Sequence, residues 1–311
     1  MHLIIHSGQH KTATSSFQIF CYSVRELLLE AKVYYPNLSH LKDNSLLIEL
    51  MSPHLLKLFD IFNNHNPLAL LIAGGNFEEV EAYFQKIFKE AKDLKCKYIL
   101  ISSEDFENFF VDINIAMILE KTLQDIGFDK ISWVFVKREP FAYLNSIYAE
   151  LSKHQMVVNF DTLSNEALRK GYVDACGGIY NWKFIFDTTF FCRQFESFTA
   201  HNLLSFSYNE FVDDDCIGKV LFKHFLSEDI IKLLVENYVI RNANPRLDQK
   251  KVEFQYLCNY LGLKSNQQFY NANKKYFDSL IQYRIERMNL QKPLLEKKFR
   301  EKFSIQNEIS I

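Results

Sequence analysis

Short runs of consecutive apolar residues alternate along this chain with segments whose apolar residues recur every three or four positions. That is the pattern of buried strands separated by amphipathic helices. Leu3, Ile4 and Ile5 form the first run, which stops at Ser7 and Gly8. Phe17, Phe20, Cys21, Val24, Leu28 and Ala31 follow at helical spacing, and Val33, Tyr34 and Tyr35 read as a second strand stopped by Pro36. A crossover of this length makes a parallel βαβ unit the default expectation.

Residues 40–70 read as irregular helix. Val80, Phe84, Ile87, Phe88, Ala91 and Leu94 mark a clear amphipathic helix, and residues 98–101 the next strand. A helix carrying Leu119, Leu123 and Ile126 stops near Gly127, residues 131–136 form a fully buried strand, and Pro140 opens a helix at its favoured first position. Residues 155–200 are aromatic-rich and read mostly as helix or loop, 203–207 as a fifth strand, and the remainder as helix, ending in a charged amphipathic stretch over 274–302. The alternation predicts one three-layer α/β domain spanning 1–311 with a mainly parallel sheet. Helical insertions are expected near 40–95 and 155–200, with a helical part over 220–311.

Composition narrows the picture. Apolar residues make up 48% of the 311, including 29 Phe and 16 Tyr, enough for a substantial core. The net charge of −2 argues against a nonspecific nucleic-acid binder, which would carry a strong basic excess. Six cysteines show no C-x-x-C pair and no zinc-like spacing, so reduced thiols in a cytoplasmic protein are expected. The amino terminus lacks signal-peptide features and no apolar run approaches the ~20 residues of a membrane span, so no integral membrane segment is expected.

The most informative segment lies between the first strand and the first helix: His6-Ser7-Gly8-Gln9-His10-Lys11-Thr12-Ala13-Thr14-Ser15-Ser16. A helix start presents unpaired backbone N–H groups and the positive end of the helix dipole, a natural anion site. Lys11 adds a full charge, and Thr12, Thr14, Ser15 and Ser16 add hydroxyl donors. Helix capping by Thr14 or Ser15 is the simpler alternative. The segment departs from the Walker pattern, because only three positions separate Gly8 from Thr12 and no Gly precedes Lys11.

Gly8-Gln9-His10-Lys11-Thr12-Ala13-Thr14-Ser15 resembles the G-x-x-K-T-G-T-[ST] loop of the sulfotransferases that use 3′-phosphoadenosine 5′-phosphosulfate (PAPS). His10 and Gln18 match residues common in bacterial members, and Ala13 departs from the family Gly. A second resemblance lies in Arg138 and Ser146, matching an Arg that ends a strand and a Ser in the next helix. Weaker echoes are Ser102-Ser103-Glu104, Tyr208-Asn209-Glu210 and Asn242 near Arg241, while the C-terminal Arg-Lys-Gly element of the cytosolic animal enzymes is absent.

The resemblance implies a P-loop-like fold and sulfonate transfer from PAPS to a hydroxyl of a glycan, glycolipid or small metabolite. It implies a 5′-phosphosulfate held by Gly8, His10, Lys11, Thr12, Ala13, Thr14 and Ser15, and a 3′-phosphate held by Arg138 and Ser146. Lys11 would stabilise charge on the bridging oxygen, and no metal is required when Lys supplies that charge. The acceptor proton needs a base, for which Glu104, after a strand end, and His40 are both candidates. A nucleotide-dependent kinase of the same broad fold and a non-catalytic nucleotide-binding interaction protein are the alternatives.

Overall fold

In a computed structural model the described residues are 1–37, 65–154, 156–177, 180–199, 202–213, 215–239, 248–263 and 267–304. They form two compact units: Met1–Arg138 with Phe190–Asn244, and Glu139–Thr189 with Pro245–Ile311.

The first unit is built on a five-stranded, all-parallel sheet of β1 (His2–Gly8), β2 (Val33–Tyr34), β3 (Tyr98–Ser102), β4 (Lys130–Lys137) and, later in the chain, β7 (Asn202–Ser207). The spatial order is β2-β3-β1-β4-β7. Register aligns His6 with Ser102 and Val134, Gly8 with Val136, and Lys137 with Ser207, so β3, β1, β4 and β7 end at one edge. Alternation across the strands separates two apolar faces. Ile4, Leu100, Val134, Val136 and Phe206 pack with Phe17, Phe20, Leu28, Leu221, Phe222 and Leu234 on one side. On the other, Trp133 and Phe135 meet Phe106, Phe109, Phe110 and Phe195 edge-on or tilted. Helices therefore flank both faces of the sheet, as the alternation of elements predicts.

The first two strands run parallel in one sheet, with β3 inserted between them. One sequence expectation changes. The 155–200 segment also contains a strand hairpin, β5 (Tyr172–Gly177) with β6 (Tyr180–Ile185), where helix or loop was expected. Its period-two signal is short: Val173 and Ala175 turn inward on either side of Asp174, but Phe184, Ile185 and Phe186 are buried in succession.

The hairpin belongs to the second unit, with helices Pro140–Lys153, Phe160–Lys170, Gln249–Tyr260 and Lys274–Ser304. Its core is Tyr143, Ile147, Leu151, Phe160, Leu163, Phe186, Leu257, Ile281 and Phe299 among others. A buried polar network joins three of these helices. Arg284 donates to Glu253 (2.6 Å) and lies over the Tyr256 ring, while the Tyr148 hydroxyl donates to the other oxygen of the fully buried Glu253 (2.9 Å). No helix among the described residues is long and apolar enough to cross a membrane.

Candidate functional site

The carboxyl ends of β1 and β4 lie side by side, and their onward connections leave in opposite directions, toward β2 and toward β7. In an open parallel sheet, that divergence leaves a crevice at the strand ends. The segment between β1 and the Thr14–Ser23 helix occupies this edge, and Arg138 follows β4 on its other side.

Gly8 is fixed by close approach. A Cβ there would meet the Thr12 hydroxyl at 3.0 Å and the Val136 side chain and backbone nitrogen at 3.1 and 3.2 Å. Gln9 extends the ladder by donating its N–H to the Val136 carbonyl (2.9 Å), and its side-chain oxygen accepts the Arg138 backbone N–H. The Thr12 hydroxyl is buried and donates to the Gln9 carbonyl, closing the turn. Lys11 (φ 67°) and Ala13 (φ 64°) both adopt the left-handed conformation. Left-handed residues at this spacing turn the chain sharply before the helix. Glycine adopts this conformation freely, so Ala13 holds a backbone shape that usually favours glycine.

Ala13 is the residue before the helix and has no side-chain oxygen, so the first turn of Thr14–Ser23 has no side-chain cap. The expectation that Thr14 or Ser15 merely caps the helix fails for the same reason: both stand inside it. The Thr14 hydroxyl is buried and has no hydrogen-bond partner among the described residues. Lys11, Ser15 and Ser16 are half-buried around the same turn. An uncapped helix start, a cation and an unanswered hydroxyl form a donor set suited to an anion with several oxygens.

Arg138 is held to this loop. Its guanidinium donates to the Lys11 carbonyl (3.1 Å) and sits over the ring of Tyr208, at the end of β7, 5.1 Å from the centroid. Ser146, proposed to act with it, lies in the second unit on the Pro140–Lys153 helix and donates to the Ala142 carbonyl of its own helix (3.0 Å).

His10, which the resemblance places at the 5′-phosphosulfate, has its side chain set among acidic groups. Its side chain is buried, its backbone N–H and Nδ1 both contact the same Glu107 oxygen (2.8 and 2.7 Å), and Nε2 lies 3.4 Å from Asp105. Burial pulls the imidazole pKa down. Hydrogen bonds to Asp105 and Glu107, and the charges of Glu104 and Glu107, outweigh it, so the pKa lies well above the ordinary value.

Glu104 opens the turn Glu104–Phe110 directly after β3, half-buried and near enough to His10 for its charge to be felt. A network fixes this strand end. The Ser102 backbone N–H donates to His65 Nδ1 (2.8 Å), its hydroxyl meets His6 (2.7 Å), and its carbonyl accepts from Gln18 (2.6 Å). Ser103 donates to Asn66 and accepts from the Asp105 N–H. His40 lies outside the described residues.

A cleft of about 130 Å³ begins at Ser16 and runs beside the same helix, lined by Phe20, Ser23, Val24, Asn237, Tyr238 and Val239. Tyr238 meets Phe20 edge-on at 5.2 Å. Sequence reasoning missed this cleft, the acidic partners of His10, and Gln9 and Tyr208 as supports of Arg138; only the Glu104-Asp105-x-Glu107 spacing hinted at any of them. Among the described residues, no group of three or more His, Cys, Asp and Glu is placed to hold a metal ion. No family model, curated protein or solved structure matches this chain.

Proposed function

We propose that the protein is a sulfotransferase that uses PAPS to place a sulfonate group on a hydroxyl of a glycan, glycolipid or small metabolite. The observation that carries the reading is the loop at the β1 end: two left-handed residues, an uncapped helix start and the unpartnered Thr14 hydroxyl beside Lys11. These groups supply donors and no carboxylate of their own, which fits a phosphosulfate. Ser16 belongs both to the first helical turn and to the neighbouring cleft. A nucleotide anchored by its 5′ anion at that turn would have this cleft, with Tyr238 and Phe20 along it, within reach.

Sulfonate transfer asks for alignment of the attacking hydroxyl with the leaving oxygen and for stabilisation of the charge that develops there. Lys11 supplies that charge. Glu104, at the adjacent strand end, accepts the acceptor's proton as the new S–O bond forms and the bond to the nucleotide oxygen breaks. Arg138 bears on the 3′-phosphate while bracing the Lys11 carbonyl.

Calorimetric binding of adenosine 3′,5′-bisphosphate, compared with ATP and AMP, tests the reading. A preference for the bisphosphate is expected. Mg²⁺-dependent binding of ATP with no such preference would instead indicate a kinase, and bisphosphate binding without turnover on any acceptor would indicate a non-catalytic nucleotide binder.

A further inference from the structure

We propose that His10 is a positioning residue whose imidazolium ties the anion loop to the turn that carries Glu104. The tie depends on the sulfotransferase reading only for the roles of Lys11 and Glu104.

Geometry sets the protonation state. Nδ1 contacts Glu107 at 2.7 Å and Nε2 faces Asp105 at 3.4 Å, so carboxylates meet both ring nitrogens. A neutral imidazole has one N–H and one lone pair, and the lone pair would then point at a carboxylate in a buried setting. The cation puts a donor on both nitrogens, hydrogen-bonded to Glu107 and in ion-pair contact with Asp105. The Glu107 oxygen that takes Nδ1–H also takes the His10 backbone N–H, so the main chain beside Lys11 is tied as well. Glu107 is fully buried and Asp105 nearly so, and without a cation between them two carboxylates would share a low-dielectric site.

The arrangement joins two segments about a hundred residues apart in sequence. Lys11 follows His10 directly, and Glu104 opens the same short turn that holds Asp105 and Glu107. Among the described residues, the charged groups that act on His10 are Asp105, Glu107 and Glu104, all acidic. They keep the ring protonated through neutral pH, and the tie weakens as pH rises through the raised pKa.

Three measurements on the full chain test the inference. Ring-nitrogen NMR of the wild type at pH 8 is expected to show both His10 nitrogens protonated; a neutral single tautomer would overturn it even if every variant misfolded. Inorganic pyrophosphate, a probe of the loop that is independent of the nucleotide, is expected to bind more weakly on the alkaline side as His10 loses its proton. Glu107→Gln keeps the side-chain shape and removes the charge, so it should move that decline down by about 1–3 pH units; an unmoved profile overturns the proposal. His10→Gln should abolish the decline and, once an acceptor is known, lower kcat by about 10²-fold with much less effect on KM. A wild type that binds pyrophosphate with the expected pH profile, yet does not prefer the bisphosphate to ATP, would sink the sulfotransferase reading and support the His10 tie.

Discussion

Replacing Gly8 with Ala tests whether close packing against β4 shapes the anion loop. The added methyl would stand 3.0 Å from the Thr12 hydroxyl, 3.1 Å from Val136 Cβ and 3.2 Å from the Val136 nitrogen. None of these neighbours yields easily. Thr12 is buried and bonded to the Gln9 carbonyl, and the Val136 backbone is held in the ladder, where its carbonyl accepts the Gln9 N–H. Overpacking of this kind costs typically ~1–3 kcal/mol. With a urea dependence of about 2–3 kcal/mol per molar, a loss of ~2 kcal/mol lowers the unfolding midpoint by roughly 0.7–1 M. The fluorescence of Trp133, buried in the first unit, reports this transition once Trp182, in the second unit, is replaced by Phe. Anion affinity should fall in parallel, because the loop can admit the methyl only by moving Thr12 and the turn it closes. An unchanged midpoint together with unchanged bisphosphate affinity would refute the argument that the contact with Val136 fixes the loop.

Arg138→Ala should weaken adenosine 3′,5′-bisphosphate by ~1.5–3 kcal/mol, the cost of losing a charged hydrogen-bond partner, and AMP by less, through loss of the brace on the Lys11 carbonyl. Calorimetry showing equal losses for both would remove Arg138 from the 3′ position. Glu104→Gln should cut turnover by about 10²–10⁴-fold with bisphosphate affinity kept; normal turnover there, with collapse in His40→Asn, would transfer the base role to His40. In the second unit, Arg284→Ala leaves the fully buried Glu253 without its cation and should destabilise by ~3–5 kcal/mol in urea unfolding. Burial lowers the His65 pKa to about 4, offset only partly by the hydrogen bond to the Pro36 carbonyl, so the unfolded chain takes up a proton that the folded one refuses. Its stabilisation is therefore present above pH ~6.5 and lost as pH falls toward 4, at up to about 1.4 kcal/mol per pH unit. His65→Gln should flatten the acid limb by that slope, and an unaltered limb would show that His65 is not buried neutral.

The amino-acid sequence by itself determined what depends on near neighbours along the chain. Runs such as 3–5, 98–101 and 131–136 are apolar on both faces, and only a covered strand buries such a run, so the five strands and the α/β class were legible. The loop was legible too, since strand, Gly8, Lys11 and a hydroxyl-rich helix start are contiguous. Ala13 was visible as a departure, though its left-handed φ was not.

Tertiary structure alone decided which distant groups meet. Strand order is one case: β2 joins β3 rather than β1, a choice made by packing across the whole sheet. The hairpin over 172–185 is another, because six-residue strands with aromatic neighbours carry too little period-two signal to outweigh a helical reading. His10 is the sharpest. The resemblance placed it at the ligand, yet the fold brings Asp105 and Glu107 to its two ring nitrogens and raises its pKa. A titratable side chain takes its charge from desolvation and from the groups around it in space, and both are set by non-local contacts that no local pattern encodes.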